Sequence, residues 1–179
     1  MECWILFHRD DYETSNEAGC HEIRRLIEVG KQAGMHMHVF RPERFHLVTS
    51  HKTTVSLLLD GEEITLLPDI ILPRMGVLSS YFALSIIRQF ERMGVAVFNG
   101  TGAISTVMDK MRTQQVLAHA GLPVPKTMLA RFPVDVDLVE KSIGFPLVAK
   151  TLAGSHGQGV ILCENKDQFG DIMPPIAAT

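Results

Sequence analysis

Trp4-Ile5-Leu6-Phe7-His8, the stretch from Asn16 to Ala33, and His36-Met37-His38-Val39-Phe40 together decide the fold. The first is a short apolar run with the character of a buried strand. It ends in charge at Arg9-Asp10-Asp11. The second places Gly19, Ile23, Leu26, Ile27 and Gly30 at helical spacing, so one apolar face packs on that strand. Gly34 stops the helix. The third alternates as a second strand. Strand, helix and strand joined by short links predict a βαβ unit and therefore a parallel sheet.

Working outward, Val55 to Leu59, Asp60-Gly61 and Glu62 to Leu66 predict a hairpin, because Asp-Gly suits the two positive-φ positions of a tight turn. Asp69 to Leu72 reads as another buried strand, ended by Pro73. Ser79 to Met93 reads as a helix capped by Ser79 or Ser80, with Phe82, Ile86, Phe90 and Met93 on one stripe. Val95 to Phe98 is the next strand. Asn99-Gly100-Thr101-Gly102 is loop chemistry and sets a boundary near 100 to 103. Beyond it, Ala103 to Ala120 is helical, with a break near Val107, and Gly121 ends it. Lys126 to Ala130 reads as a short strand and Val134 to Ser142 as a short helix. Pro146-Leu147-Val148-Ala149-Lys150 is a strand tipped by a lysine. Gly154-Ser155-His156-Gly157-Gln158-Gly159 is a glycine-rich bend, and Val160 to Cys163 is the return strand. Asn165 caps a helix that Pro174-Pro175 is expected to break.

The chain has 179 residues, enough for one domain or two small ones. A hydrophobic share of 46% and a charged share of 21% are ordinary for a globular protein. The net charge of −3 argues against a protein built to neutralise nucleic-acid phosphates. Cys3, Cys20 and Cys163 form no CxxC and read as cytosolic thiols packed as small apolar groups. No apolar run approaches the roughly 18 residues of a membrane span. The cytoplasm is the expected compartment.

The glycine bend is the sharpest chemical feature. Its three glycines permit positive φ and let backbone N–H groups crowd an anion. Lys150 stands at its entrance and can act as a point charge on phosphate. The bend joins two strands, so it departs from the Walker loop, in which Gly-Lys-Ser/Thr opens a helix. Taken alone it reads slightly better as a flexible hairpin turn. Gly100-Thr101-Gly102 resembles part of a dinucleotide fingerprint, with Ser105 where a third glycine belongs, and an ordinary loop is the preferred reading. His36 and His38 share one side of a strand and lack an evident third metal ligand. Arg74 and Arg9 each follow a strand of the expected parallel sheet, where ligands of open α/β sheets bind, and are candidate clamps for a carboxylate.

Pro73-Arg74-Met75-Gly76, Ile87-Arg88-Gln89-Phe90-Glu91, Met93-Gly94, Asp109-Lys110-Met111-Arg112, Gly121-Leu122-Pro123-Val124-Pro125, Pro146 to Lys150 and Gly154 to Gly159 occur in one order. This ordered set is similar to the RimK-like branch of the ATP-grasp ligases. That branch includes the enzyme that adds glutamates to the C-terminus of a small-subunit ribosomal protein. The resemblance runs from Trp4 to about Ile172. It implies carboxylate–amine ligation: ATP phosphorylates a carboxylate, an amine attacks the acyl phosphate, and two Mg2+ ions bridge the phosphates. Carried over by motif, Lys110 and Lys150 hold the ATP phosphates. Gly154, Ser155, His156, Gly157, Gln158 and Gly159 form a lid over them, and Arg74 lies near the acceptor or amino-acid site.

The expected architecture is α/β. An open parallel-sheet pre-ATP-grasp domain over 1–102 is followed by the first, incomplete lobe of an ATP-grasp domain over 103–179. The magnesium ligands are expected beyond the end of this chain, which reads as a truncated ligase, inactive alone and self-associating to cover an exposed apolar edge. The expected partners are ATP, an amino acid (glutamate) and a small carboxylate or protein C-terminus, with no membrane and no direct nucleic acid. Two other classes stay open: a non-catalytic ATP-grasp-like binding module, and a dinucleotide-binding oxidoreductase using Gly100 and Gly102.

Overall fold

The computed structural model describes residues 1–17, 19–51, 56–76, 80–151 and 159–177. The chain divides into two compact units, residues 1–105 and 106–179.

In the first unit the elements are β1 (Glu2–Leu6), α1 (Cys20–Gln32), β2 (His36–Phe40), a 3₁₀ turn (Pro42–Arg44), β3 (Phe45–Val48), β4 (Ser56–Leu59), β5 (Glu62–Glu63), β6 (Ile70–Pro73), α2 (Tyr81–Arg92) and β7 (Ala96–Val97). The sheet runs β2-β1-β6-β7, parallel at every pairing. The expected βαβ unit is present. β1 lies in the middle, and Ile5 and Leu6 are fully buried on its two sides. Ile5 joins Phe7, Cys20 and Ile23 beneath α1. Leu6 joins Phe45, Leu57, Ile71, Ile86, Ile87 and Phe90 beneath α2 and the small sheet β3-β4-β5. Trp4 meets Phe90 edge-on at 5.9 Å between ring centroids, and Phe90 meets Phe45 likewise at 5.7 Å. Ser80 caps α2, its hydroxyl accepting from the Ala83 N–H at 3.1 Å. The alternative cap, Ser79, and the expected strand start, Val55, lie outside the described residues.

In the second unit α4 (Lys110–His119), α5 (Val136–Ser142), β8 (Leu147–Lys150), β9 (Val160–Cys163) and α6 (Lys166–Ala177) follow α3 (Thr101–Met108), which runs across the division. The helical stretch expected from Ala103 breaks at Asp109, whose carboxylate accepts from the Arg112 N–H at 2.9 Å and so starts α4. β8 and β9 pair antiparallel. Val139, Cys163, Phe169 and Met173 form the core of this unit.

One strand was not expected, and three expectations need correction. Phe45–Val48 is a strand that the sequence reading passed over. The strand expected over Glu62 to Leu66 shortens to Glu62–Glu63, opposite Leu59 and Leu58 of β4, with one further hydrogen bond from the Ile64 N–H to the Leu57 carbonyl at 2.9 Å. Lys126 to Ala130 forms no strand: the sheet of its unit consists of β8 and β9, and a strand without a neighbour leaves its backbone groups unpaired. Helix α6 continues through Pro174-Pro175. Proline's fixed φ is compatible with a helix, and what each proline lacks is the N–H of one helical hydrogen bond. Among the described residues no helix is long and apolar enough to cross a membrane.

Replacing Phe90 by Ala empties a fully enclosed site shared by Trp4 and Phe45, and is expected to lower unfolding stability by about 3–5 kcal/mol in urea titration. The Asp60-Gly61 turn has φ of 53° and 92°. Arg44 forks onto the Asp60 carboxylate across it, with Nε to Oδ1 at 3.0 Å. This hydrogen bond holds the Asp60 carboxyl below its ordinary value. Because the folded value lies below the unfolded one, the pair's contribution is present above about pH 4 and fades as pH falls through the depressed value. In a carbon-detected NMR titration the Asp60 midpoint is expected to rise toward the ordinary carboxylate range in Arg44→Gln.

Candidate functional site

Lys150 is the last residue of β8 and lies directly across from Val160 of β9. Opposed residues of an antiparallel pair share a face. Val148, Lys150, Val160 and Leu162 therefore share one, while Leu147, Ala149, Ile161 and Cys163 turn the other way into the core. The outward face is apolar and open, with Val148, Val160 and Leu162 exposed by 50%, 44% and 56%. A strand ribbon that leaves aliphatic surface beside a lysine offers both an apolar platform and a positive charge.

The next residue, Thr151, closes the base of the glycine bend. Its N–H donates to the Gly159 carbonyl at 3.0 Å. Its own carbonyl accepts from the Lys110 ammonium at 3.2 Å. Lys110 opens α4, so the start of a helix meets the end of a strand at Thr151, the residue next to Lys150. Gly159 has a φ of 68°, and a Cβ added there would run into the Thr151 side chain. Glycine is needed at 159 on both counts. Gly154, Ser155, His156, Gly157 and Gln158 lie outside the described residues. Thr151 was not marked in the sequence reading. Its position between the strand lysine and the bend was the available signal.

In the first unit, the sequence-predicted arginines follow parallel strands as expected. Arg9 forks onto Asp11, with Nε to Oδ1 at 2.7 Å and Nη2 to Oδ2 at 2.8 Å, and also pairs with Glu17. These contacts raise its pKa further and hold the Asp11 carboxyl low. Arg74 meets Glu22 at 3.1 Å. Arg41, which follows β2, was missed although the same strand-end argument applied to it.

Two weaker motifs resolve differently. His36 Nδ1 and His38 Nε2 both face the carboxylate of Glu2, at 2.9 and 3.2 Å. Among the described residues no group of three or more His, Cys, Asp or Glu is arranged to hold a metal ion. At Gly100-Thr101-Gly102, the Glu91 carboxylate accepts from the Thr101 N–H at 2.8 Å and from the Thr101 hydroxyl. It occupies the start of α3, where a dinucleotide's pyrophosphate would have to sit. A Cβ at Gly100 would collide with the same carboxylate. That glycine accommodates Glu91.

Comparison with known proteins agrees with the division of the chain. Residues 14–104 match the RimK PreATP-grasp domain, and residues 107–178 match the RimK-like ATP-grasp domain. A probable alpha-L-glutamate ligase of Thioalkalivibrio sulfidiphilus is 37% identical over 154 residues, covering 85% of this chain and 50% of that protein. Probable alpha-L-glutamate ligase 1 of Shewanella amazonensis is 35% identical over 144 residues, covering 80% and 47%. The chain thus spans about half the length of the curated relatives it matches. Among solved structures, a RimK domain ATP-grasp protein of Sphaerobacter thermophilus shares the fold with a TM-score of 0.65 at 20% identity, over 99% of this chain and 60% of that one. The D-alanine–D-alanine ligase of Bacillus anthracis, solved with ATP, gives 0.57 at 14% identity, over 98% and 52%. With both domain models matched in order along an α/β scaffold of this topology, the chain belongs to the RimK-like ATP-grasp ligase family.

Proposed function

We propose that this chain is the nucleotide-gripping part of an ATP-dependent carboxylate–amine ligase. In this reading residues 1–102 are the pre-ATP-grasp domain and 103–179 the first part of the ATP-grasp domain. The observation that carries it is the Lys110 ammonium on the carbonyl of Thr151, the residue that follows Lys150 at the end of β8, beside the open apolar face of β8 and β9. A nucleoside triphosphate has matching chemistry: a polyanionic tail for two ammonium groups, and a flat base for aliphatic surface.

When bound, ATP supplies the phosphoryl group that turns a carboxylate into an acyl phosphate open to attack by an amine. The chain's own residues would act on charge and position. Lys150, at the tip of a paired strand, neutralises charge on the transferred group. Lys110 leaves the Thr151 carbonyl to do the same, and residues 154–159 close over the phosphates. Mg2+ is a family expectation. Among the described residues there is no cluster of carboxylates that could hold it. Arg74 is proposed to meet the carboxylate substrate, for which an amino acid, a small acid or a protein C-terminus would serve, with glutamate as the amine. All three cysteines are free and buried, which supports a reducing, cytoplasmic setting.

Mass-spectrometric mapping with an acyl-phosphate derivative of ATP, which acylates lysines near its phosphates, tests the reading. Labelling is expected to concentrate on Lys110 and Lys150 and to fall when ATP is in excess. Equal labelling of Lys31 and Lys141, indifferent to ATP, would sink it. Gly159→Ala pushes the bend off Thr151 and is expected to reduce labelling of both lysines. Isothermal titration with magnesium-ATP is expected to proceed without ADP release. Turnover by these 179 residues would overturn the expectation that they are inactive alone.

A further inference from the structure

Among the described residues, four side-chain polar atoms are buried without a hydrogen-bond partner: His8 Nδ1, Arg41 Nε, Arg74 Nε and Gln114 Oε1. Three of these four sit at one place in the fold. His8, Arg41 and Arg74 follow β1, β2 and β6, which are adjacent in the sheet order β2-β1-β6.

The sheet register brings these residues together. Leu6 pairs with Phe40 on one side and with Pro73 on the other. The ladder continues past the strands, with the Phe7 N–H donating to the Phe40 carbonyl at 2.9 Å and the Arg74 N–H to the Leu6 carbonyl at 2.8 Å. Arg41 and Arg74 therefore flank Phe7 in the next row, with His8 one residue further. Two strand spacings separate their backbones by about 10 Å, a span that two arginine side chains can bridge from opposite sides.

Neither guanidinium is fully used. Arg41 Nη1 meets Asp10 at 3.3 Å, and its Nε lies 3.4 Å from Glu43 without hydrogen-bond alignment. Arg74 Nε stands 3.1 Å from Glu22, again without alignment. Arg9 differs, because its fork is filled by Asp11 and Glu17. A buried N–H without an acceptor is costly to leave so, and arginine's planar fork fits a planar carboxylate. Asp10, Glu22 and Glu43 also bear on the ligand's charge. With three carboxylates already beside two guanidiniums, a ligand carboxylate would enter by displacing one of these loosely aligned contacts, and a doubly charged phosphate is disfavoured.

We propose that the carboxyl edge of the parallel sheet binds one carboxylate group over the end of β1, between Arg41 and Arg74, with His8 as a further polar contact. This rests on the ligase reading, for which it names the residues that would hold the carboxylate substrate, and it assigns Arg9 to holding its own loop.

The test is an NMR titration of the full chain with N-acetylalanylalanine, a peptide with a single carboxylate, and with the same peptide as its C-terminal amide. Saturable shifts of the Arg41 and Arg74 Nε–H and His8 ring signals are expected with the acid and not with the amide. Arg41→Lys and Arg74→Lys keep the charge and lose the fork. Each is expected to weaken binding about tenfold, the scale of a charge-assisted hydrogen bond. Arg9→Lys is expected to stay within about twofold, as for an exposed ion pair. The wild-type shifts are read independently of whether any variant folds. Shifts absent at millimolar acid, equal shifts with the amide, stronger binding of inorganic phosphate, or unaltered affinity in both folded arginine variants would each overturn the site. The ATP-probe experiment separates the two claims. Lysine labelling without carboxylate binding removes this site and keeps the ligase reading, while carboxylate binding without ATP-dependent labelling does the reverse.

Discussion

A parallel strand enclosed on both faces cannot carry polar side chains along its length, and the first unit is organised by that constraint. Ile5 and Leu6 point in opposite directions into two separate apolar clusters, so β1 is insulated from water on both sides. Charge is displaced to the strand ends. At the carboxyl edge this leaves His8, Arg9, Arg41 and Arg74 in the loops after β1, β2 and β6, with each of the three arginines beside an acidic residue. The hydrophobic arrangement of the sheet and the chemistry of its edge are one property seen from two sides.

The second unit solves a smaller problem less completely. Two strands and α6 enclose Cys163, Phe169 and Met173, and the opposite side of the ribbon stays open. A two-stranded ribbon has limited stability by itself. Thr151 compensates locally, joining the bend, the strand and the first residue of α4 through its two backbone groups.

How much of this was legible depended on period and neighbourhood. The βαβ unit could be read because Trp4 to Phe7 and the Ile23–Gly30 stripe carry unambiguous periods. β3 escaped because it is four residues long and follows directly on a proline turn, although Phe45 buried and His46 exposed do alternate. Lys126 to Ala130 misled for the converse reason: apolar character is local, whereas a partner strand is supplied by the fold. The position of Lys150 at the end of a strand was legible from the apolar run before it. The approach of Lys110 to Thr151 was not, since 41 residues separate them and only tertiary structure brings them together. Arg74 and Arg9 looked alike in sequence. Their difference lies in the acceptors around them, two filling the fork of Arg9 and one badly aligned on Arg74.

The carboxylate of Glu91 at the head of α3 has a wider consequence. Here the molecule brings its own anion to a seat that other α/β proteins reserve for a cofactor, and the glycine beside it is the imprint of that internal guest. Redesign toward nicotinamide chemistry would have to evict Glu91 before any loop remodelling could matter. Glycine-spaced fingerprints in related sequences are best interpreted together with the acidic residue about ten positions upstream that can counterfeit a phosphate.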